Sequence, residues 1–113
     1  MKMGLVRITG TLTANAELRV TTHKRPRARL YVRMTTGDGI EHVAAQDYGT
    51  SYAGQQAARH KAGLLRRDTA ATVTAQHLKR VRGDDSAVEL FGSVDIMSHT
   101  PARNFTEPAE STP

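Results

Sequence analysis

One short segment, residues 27–34, contains the side chains of this chain that are best suited to bind a charged ligand. Its sequence is Arg-Ala-Arg-Leu-Tyr-Val-Arg-Met, with no acidic residue. Because a β-strand directs alternate side chains to opposite faces, one face would carry three arginines and a tyrosine: Arg27, Arg29, Tyr31 and Arg33. Cations follow a phosphate backbone and an aromatic ring stacks on a base, so this face is typical of a surface that binds single-stranded nucleic acid.

The opposite face of the same segment is apolar and suits a protein core. It would carry Ala28, Leu30, Val32 and Met34. The strand therefore has a plausible inner and outer side. Arginine and lysine also discourage aggregation of exposed strands, so a solvated outer face with no ligand is the alternative interpretation.

The distribution of charge favours a polyanionic partner. The chain has 113 residues, 16 Lys+Arg against 11 Asp+Glu, and a formal net charge of +5. Most of the basic residues fall in three clusters that contain no acidic residue: 23–33, 59–67 and 79–82. Clustered cations indicate a binding surface more than scattered cations do.

Several classes of protein are not expected from this sequence. There is no cysteine, which excludes disulfides and cysteine-containing zinc sites. No apolar run approaches the roughly 20 residues of a membrane span, and no signal peptide is evident, so we expect a cytoplasmic protein without a membrane partner. The five histidines lack metal-ligand spacing, and no catalytic motif is present. We therefore expect no metal, no cofactor and no enzymatic activity.

The remaining sequence predicts the elements that would position the basic face. Apolar alternation predicts five strands and one further short run at 17–20, and an alanine-rich segment predicts a helix. Gly37-Asp38-Gly39 predicts a hairpin turn, Thr50 or Ser51 a helix cap, and Gly63 a helix end. The predicted strands are 3–13, 27–36, 40–48, 69–78 and 87–98, with the helix at 51–62. We expect a single domain over residues 1–98 and a disordered tail over 99–113, where Pro, Thr, Glu and Ser predominate.

This order predicts an all-β domain with one short helix. Five strands with a helix between the third and fourth is the order of the OB-fold, a five-stranded antiparallel Greek-key barrel, which binds ligands on its second and third strands and on the loops 1–2 and 4–5. The third predicted strand would add His42, Gln46 and Tyr48 to the outer face. The loops would add the remaining candidates, and the full set is Lys24, Arg25, Arg27, Arg29, Tyr31, Arg33, His42, Gln46, Tyr48, Lys79, Arg80 and Arg82.

Four motifs in this order resemble the bacterial single-stranded DNA-binding protein family. Residues 6–12 (Val-Arg-Ile-Thr-Gly-Thr-Leu) resemble its opening strand, and residues 15–19 (Asn-Ala-Glu-Leu-Arg) resemble its Asp-Pro-Glu-[Leu/Val]-Arg motif. Tyr48-Gly49 resembles the Phe-Gly or Trp-Gly before the family's helix, and residues 65–68 (Leu-Arg-Arg-Asp) resemble the Leu-Lys-Lys-Gly before its fourth strand. The resemblance spans residues 4–98.

The resemblance implies a homodimer or homotetramer that binds single-stranded DNA largely without sequence preference and protects it during replication, recombination or repair. The departures indicate a divergent, phage- or plasmid-like member. The chain has no tryptophan, His42 stands where the family often has one, and the tail (107–113) lacks the acidic tip that recruits replication and recombination proteins.

Two alternatives are open, one from the resemblance and one from the composition of the predicted surface. Primosomal replication protein N is a dimeric relative with the same fold and no such tail, so the chain could instead act in replication restart, mainly through protein partners. RNA is an alternative ligand, because a surface of cations and rings tolerates either sugar.

Overall fold

A computed structural model describes residues 5–22, 25–81 and 83–99. It consists mostly of β-strand with one α-helix and forms an open sheet, which confirms the all-β class with one helix. The elements are β1 (Val6–Leu12), β2 (Glu17–Val20), β3 (Ala28–Thr35), β4 (Glu41–Gly49), α1 (Tyr52–Leu64), β5 (Ala70–Ala75), β6 (His77–Val81), β7 (Asp84–Phe91) and β8 (Asp95–Ser98).

The last two predicted strands are each divided in the structure. Together with the predicted short run at 17–20, which forms β2, this gives eight strand segments among the described residues. Gln76 separates β5 from β6, and the segment 92–94 separates β7 from β8. Gly92 and Ser93 both have positive φ values, 85° and 48°. A backbone in the left-handed region cannot continue an extended strand, which explains why the apolar alternation of 87–98 does not give one strand.

The strands pair in the order β6-β7-β4-β3-β1-β5-β8, and β2 pairs with β3. Most of the neighbouring strands are antiparallel, but β4 and β7 are parallel, so the expectation of an entirely antiparallel sheet is wrong for this pair. The chain between them contains α1, β5 and β6, which is long enough for a parallel connection. One residue separates β5 from β6, and β5 pairs with β8 while β6 pairs with β7. These four segments therefore form one long, interrupted hairpin, whose two halves lie at opposite ends of the strand order.

The core lies on the apolar side of β3, as the alternation of residues 27–34 predicts. Ala28, Leu30, Val32 and Met34 are all buried. They pack with large apolar side chains from the rest of the chain, namely Leu12, Leu65, Val73, Leu90 and Ile96. This burial fixes which face of β3 is directed outward.

Helix α1 begins at the predicted cap and ends later than predicted. The Ser51 hydroxyl accepts a hydrogen bond from the backbone N–H of Gly54 at 2.9 Å. The predicted end at Gly63 is wrong, because the helix continues to Leu64 and is capped by Leu65, whose side chain is fully buried in the core. The helix therefore ends at a residue that is buried in the core and not at the glycine.

The predicted tail lies almost entirely outside the described residues. Of the predicted tail, only His99 is described; its backbone N–H donates to the carbonyl of Ala70 at 3.0 Å. No helix in the described part of the chain has the length and apolarity needed to cross a membrane.

Candidate nucleic-acid interface

The outer face of β3 carries the residues that the sequence places there. Arg29 and Arg33 are exposed and Tyr31 is half-buried, while their neighbours along the strand are buried in the core. Arg27 lies just before β3 and is partly exposed. The predicted outward orientation of the arginines and the tyrosine is therefore confirmed for this strand.

The side chains of β4 face opposite to the prediction. Residues directly opposite each other in an antiparallel pair point to the same side of the sheet. His42 lies opposite Met34 and Gln46 opposite Leu30, both of which are core residues. His42 and Gln46 therefore belong to the inner face, as does Tyr48, which packs against the core, so the prediction that they lie on the outer face is wrong. Both faces of β4 carry a mixture of polar and small apolar residues, so hydropathy did not show which face points inward.

Their contacts agree with this placement. The Gln46 side-chain oxygen accepts hydrogen bonds from the Tyr48 hydroxyl at 3.1 Å and from the backbone N–H of Ile96 at 3.0 Å. Burial, and to a smaller extent the charge of Asp95, raises the pKa of Tyr48 above its usual value. His42 is only 6% exposed, and its Nδ1 has no hydrogen-bond partner among the described residues. These side chains therefore pack or form hydrogen bonds within the protein.

The outward positions of β4 bring acidic residues next to the arginines. Glu41 lies opposite Thr35, and its carboxylate accepts from Arg33 Nη1 at 3.0 Å. Arg27 forms an ion pair with Asp47. The segment 27–34 contains no acid, but the neighbouring strand supplies two, so the expectation of an unneutralised face is wrong.

Strand β2 adds a further arginine, Arg19, which is not among the residues predicted for this face. The Arg19 guanidinium lies 4.4 Å from the centre of the Tyr31 ring and forms an ion pair with Glu17 at 2.9 Å. In the β2–β3 pairing, Glu17 is opposite Tyr31 and Arg19 is opposite Arg29. The signal was present in the alternation of residues 17–20, but only the pairing of β2 with β3 shows that Arg19 meets Tyr31.

These side chains border a groove of ≈ 340 Å³ on the outer side of the sheet. Val43 and Ala45 line it from β4, Tyr31 and Arg33 from β3, and Glu89 from β7. The groove therefore combines small apolar side chains with an aromatic ring and guanidinium groups.

A second aromatic cluster lies on the hairpin of β6 and β7. The His77 and Phe91 rings lie 5.0 Å apart, and Lys79 Nζ lies 5.0 Å from the centre of the Phe91 ring. Lys79 also faces Glu89 at 3.7 Å. Phe91 is 36% exposed, and its outward alternation was the sequence signal for this cluster. Lys79 and Arg80 thus lie on strand β6, whereas the prediction placed them in a loop.

The other candidate residues are placed only in part. Arg25 is exposed in the segment before β3. Lys24 and Arg82 lie outside the described residues. In the described part of the chain, no group of three or more His, Cys, Asp or Glu side chains is arranged to hold a metal ion.

Comparisons with known proteins add no assignment to this geometry. No family model matches the chain, and no curated protein matches it.

Proposed function

We propose that this protein binds single-stranded DNA, largely without sequence preference, through the outer face of β2, β3 and β4 and the β6–β7 hairpin. The observation that carries the proposal is the position of Tyr31. Its ring lies in an open groove, contacts the Arg19 guanidinium, and is flanked along β3 by Arg29 and Arg33. An aromatic ring with arginines on both sides is the combination that binds bases and phosphates without reading the sequence.

We further propose that the domain is an OB-fold. The parallel pairing of β4 with β7, the return of β5 to β1 and the position of α1 between two strand groups support this assignment. They are compatible with a partly open Greek-key barrel, a fold whose second and third strands bind oligonucleotides. In this proposal β3 and β4 correspond to those two strands.

Binding would combine stacking with an exchange of anions. One base would stack on Tyr31 and its Arg19 neighbour, and another on the Phe91 ring of the hairpin. Exposed ion pairs contribute only about 0–1 kcal/mol, so phosphates can replace Glu41 and Asp47 as partners of Arg33 and Arg27. Arginine suits this exchange because its planar guanidinium binds phosphate through two parallel hydrogen bonds.

The cellular role proposed from the family resemblance is protection of single-stranded DNA during replication, recombination or repair, by a cytoplasmic homodimer or homotetramer. The protein would act without a cofactor and without catalysis. RNA remains an alternative ligand, since none of the described groove residues is a specific reader of the 2′-hydroxyl.

A replication-restart module that acts through protein partners is the second candidate, and the four ion pairs that the described residues form on the outer face favour it. Acidic side chains accompany Arg19, Arg27, Arg33 and Lys79, which lowers the positive potential that a DNA-binding surface needs. A face of mixed charge also suits a protein partner, where complementary charges fix register.

Fluorescence anisotropy with a labelled oligo-dT of about 35 nucleotides tests the first proposal. We expect tight binding, weak competition by duplex DNA of equal length, and affinity that falls by about 0.7 log units per log unit of salt for each phosphate contact. RNA of equal length as a competitor would decide between the two sugars. Absence of binding at low salt would contradict the proposal and favour the protein-partner alternative.

A further inference from the structure

The loop that follows helix α1, residues 65–69, presents two adjacent arginines that the proposed interface does not use. Arg66 and Arg67 are both exposed, and the preceding Leu65 is fully buried. None of the ion pairs among the described residues involves either arginine. In this respect they differ from Arg27 and Arg33, whose guanidinium groups already have carboxylate partners.

The backbone of this double-arginine loop is held by hydrogen bonds on both sides. The Leu65 carbonyl accepts from the Ala16 N–H at 2.8 Å, and the Asp68 N–H donates to the Leu12 carbonyl at 2.9 Å. The Thr69 hydroxyl closes the loop by donating to the Arg66 carbonyl at 2.6 Å. Asp68 has a φ of 73°, in the left-handed region that aspartate adopts more readily than most residues, and the hydrogen bonds on both sides hold the loop in this conformation. Because the backbone is fixed, the loop itself need not be ordered on binding.

The same loop adjoins the proposed interface through the segment between β1 and β2. The Thr13 hydroxyl donates to Glu41 Oε2 at 3.2 Å, and its backbone N–H donates to the Arg33 carbonyl at 2.9 Å. Two residues further along, the Asn15 side-chain oxygen accepts from the Arg67 N–H at 2.8 Å. Two residues span at most about 7 Å. The segment 13–16 therefore touches both the arginine face of β3 and the double-arginine loop.

We propose that Arg66 and Arg67 bind the phosphates of a strand that leaves the groove across the β1–β2 segment, so that the path of single-stranded DNA extends from β3 to the end of α1. This inference rests on the proposed function and adds a site to it. The two arginines need not release a carboxylate before they bind phosphate, so each would contribute a full electrostatic contact.

The test compares two lengths of oligo-dT, about 8 and about 35 nucleotides, because one OB-fold contacts roughly 4–16 nucleotides. The Arg66→Gln/Arg67→Gln variant should bind the long oligonucleotide about 25-fold more weakly at about 0.1 M salt, with a salt slope shallower by about 1.4. It should bind the short one within about twofold of the wild type, because the groove alone accommodates it. The matched control for the single variants Arg66→Gln and Arg67→Gln is Arg7→Gln, an exposed position on β1 opposite Thr74 that carries the same charge change.

Five outcomes separate this inference from the proposed function. A loss confined to the long oligonucleotide, and absent in Arg7→Gln, supports the extended path. An unchanged affinity for both lengths overturns the inference while the proposed function stands. A loss in Arg7→Gln equal to that in the single variants Arg66→Gln and Arg67→Gln has the same meaning. An equal loss on both lengths also overturns it, because the arginines would then belong to the groove itself. If wild-type protein binds neither length, both the function and the inference are wrong.

Discussion

Tyr31 is the residue on which the proposed binding mode depends most. It is half-buried on the outer face of β3, and the Arg19 guanidinium covers part of its ring. Removal of the ring should leave the core intact, because the side chains that fill the core lie on the other side of the strand.

We expect Tyr31→Ala to weaken binding of oligo-dT by roughly 1–3 kcal/mol, the contribution of one stacked base. Anisotropy titration measures the change, and circular dichroism monitors the fold. The matched control is Tyr52→Ala, which removes the same ring from a helix position that is 78% exposed. Equal losses in both variants would show that Tyr31 is not a stacking residue, and unfolding of Tyr31→Ala would place its ring in the core.

Tyr48 shows the opposite case, an aromatic residue that the sequence assigns to stacking and the structure assigns to packing. Its hydroxyl donates to Gln46, and its ring packs against the core. Tyr48→Phe should therefore keep the affinity for oligo-dT within about twofold, and should lower the free energy of unfolding by about 0.5–1.5 kcal/mol through the lost hydrogen bond. Urea unfolding at neutral pH, together with the anisotropy assay, checks both values. A large loss of affinity would return Tyr48 to the binding face.

The raised pKa of Tyr48 also predicts how stability changes at alkaline pH. Burial, with Asp95 nearby, favours the protonated hydroxyl in the folded state, so the folded pKa lies above the unfolded one. The stabilisation is complete below the unfolded value of about 10 and is lost as the pH rises through the folded value. Wild-type protein should thus lose more stability above about pH 10 than Tyr48→Phe, in urea unfolding at several pH values. Parallel curves would contradict this assignment.

At the scale of elements, Gly54 determines how helix α1 meets strand β4. A Cβ atom at this position would overlap the carbonyl oxygen of Tyr48, whereas one at Gly63 would have nothing within 4 Å. Alanine favours a helix over glycine by about 1 kcal/mol at either position. Only at Gly54 does the added methyl group meet backbone that must move.

We therefore expect Gly54→Ala and Gly63→Ala to have opposite effects. Gly54→Ala should lower the free energy of unfolding by about 1–3 kcal/mol through overpacking, while Gly63→Ala should raise it by up to about 1 kcal/mol. Thermal and urea unfolding compare the two variants. Stabilisation by both would show that α1 does not approach β4 as closely as the structure places it.

The same elements show what the sequence could and could not predict. In β3 every inward residue is apolar and three outward residues are charged or aromatic, so the alternation determined the face. In β4 the inward set includes His42 and Gln46 and the outward set includes Val43 and Ala45, so composition does not distinguish the two faces. Register there is set by the hairpin with β3, and pairing across strands also determined the contacts of Arg19 and Phe91. Contacts between distant strands were therefore the part of the site that the sequence did not predict.

At the scale of the whole molecule, the basic clusters differ in whether the fold brings acidic side chains next to them. The cluster at 23–33 meets acids from β4, while the cluster at 59–67 has no ion pair among the described residues. If the outer face binds phosphates, its carboxylates compete with the ligand. Weakening that competition should raise affinity, which a passive solvated surface would not show.

Asp47→Asn is the sharpest test of this competition. Asp47 Oδ1 accepts from the Gly49 N–H at 2.9 Å, a bond that asparagine keeps, while its ion pair with Arg27 is lost. Releasing one arginine should raise the affinity for oligo-dT about 5-fold at about 0.1 M salt and steepen the salt slope by about 0.7. Asp38→Asn is the control, since Asp38 Oδ1 accepts from the Ile40 N–H at 2.9 Å in the same way and has no ion pair among the described residues. An equal gain in both variants would mean that only net charge matters, and no gain in either would mean that Arg27 does not meet the strand. A gain confined to Asp47→Asn would show that the carboxylates of β4 restrain binding, because they hold the arginines that the phosphates need.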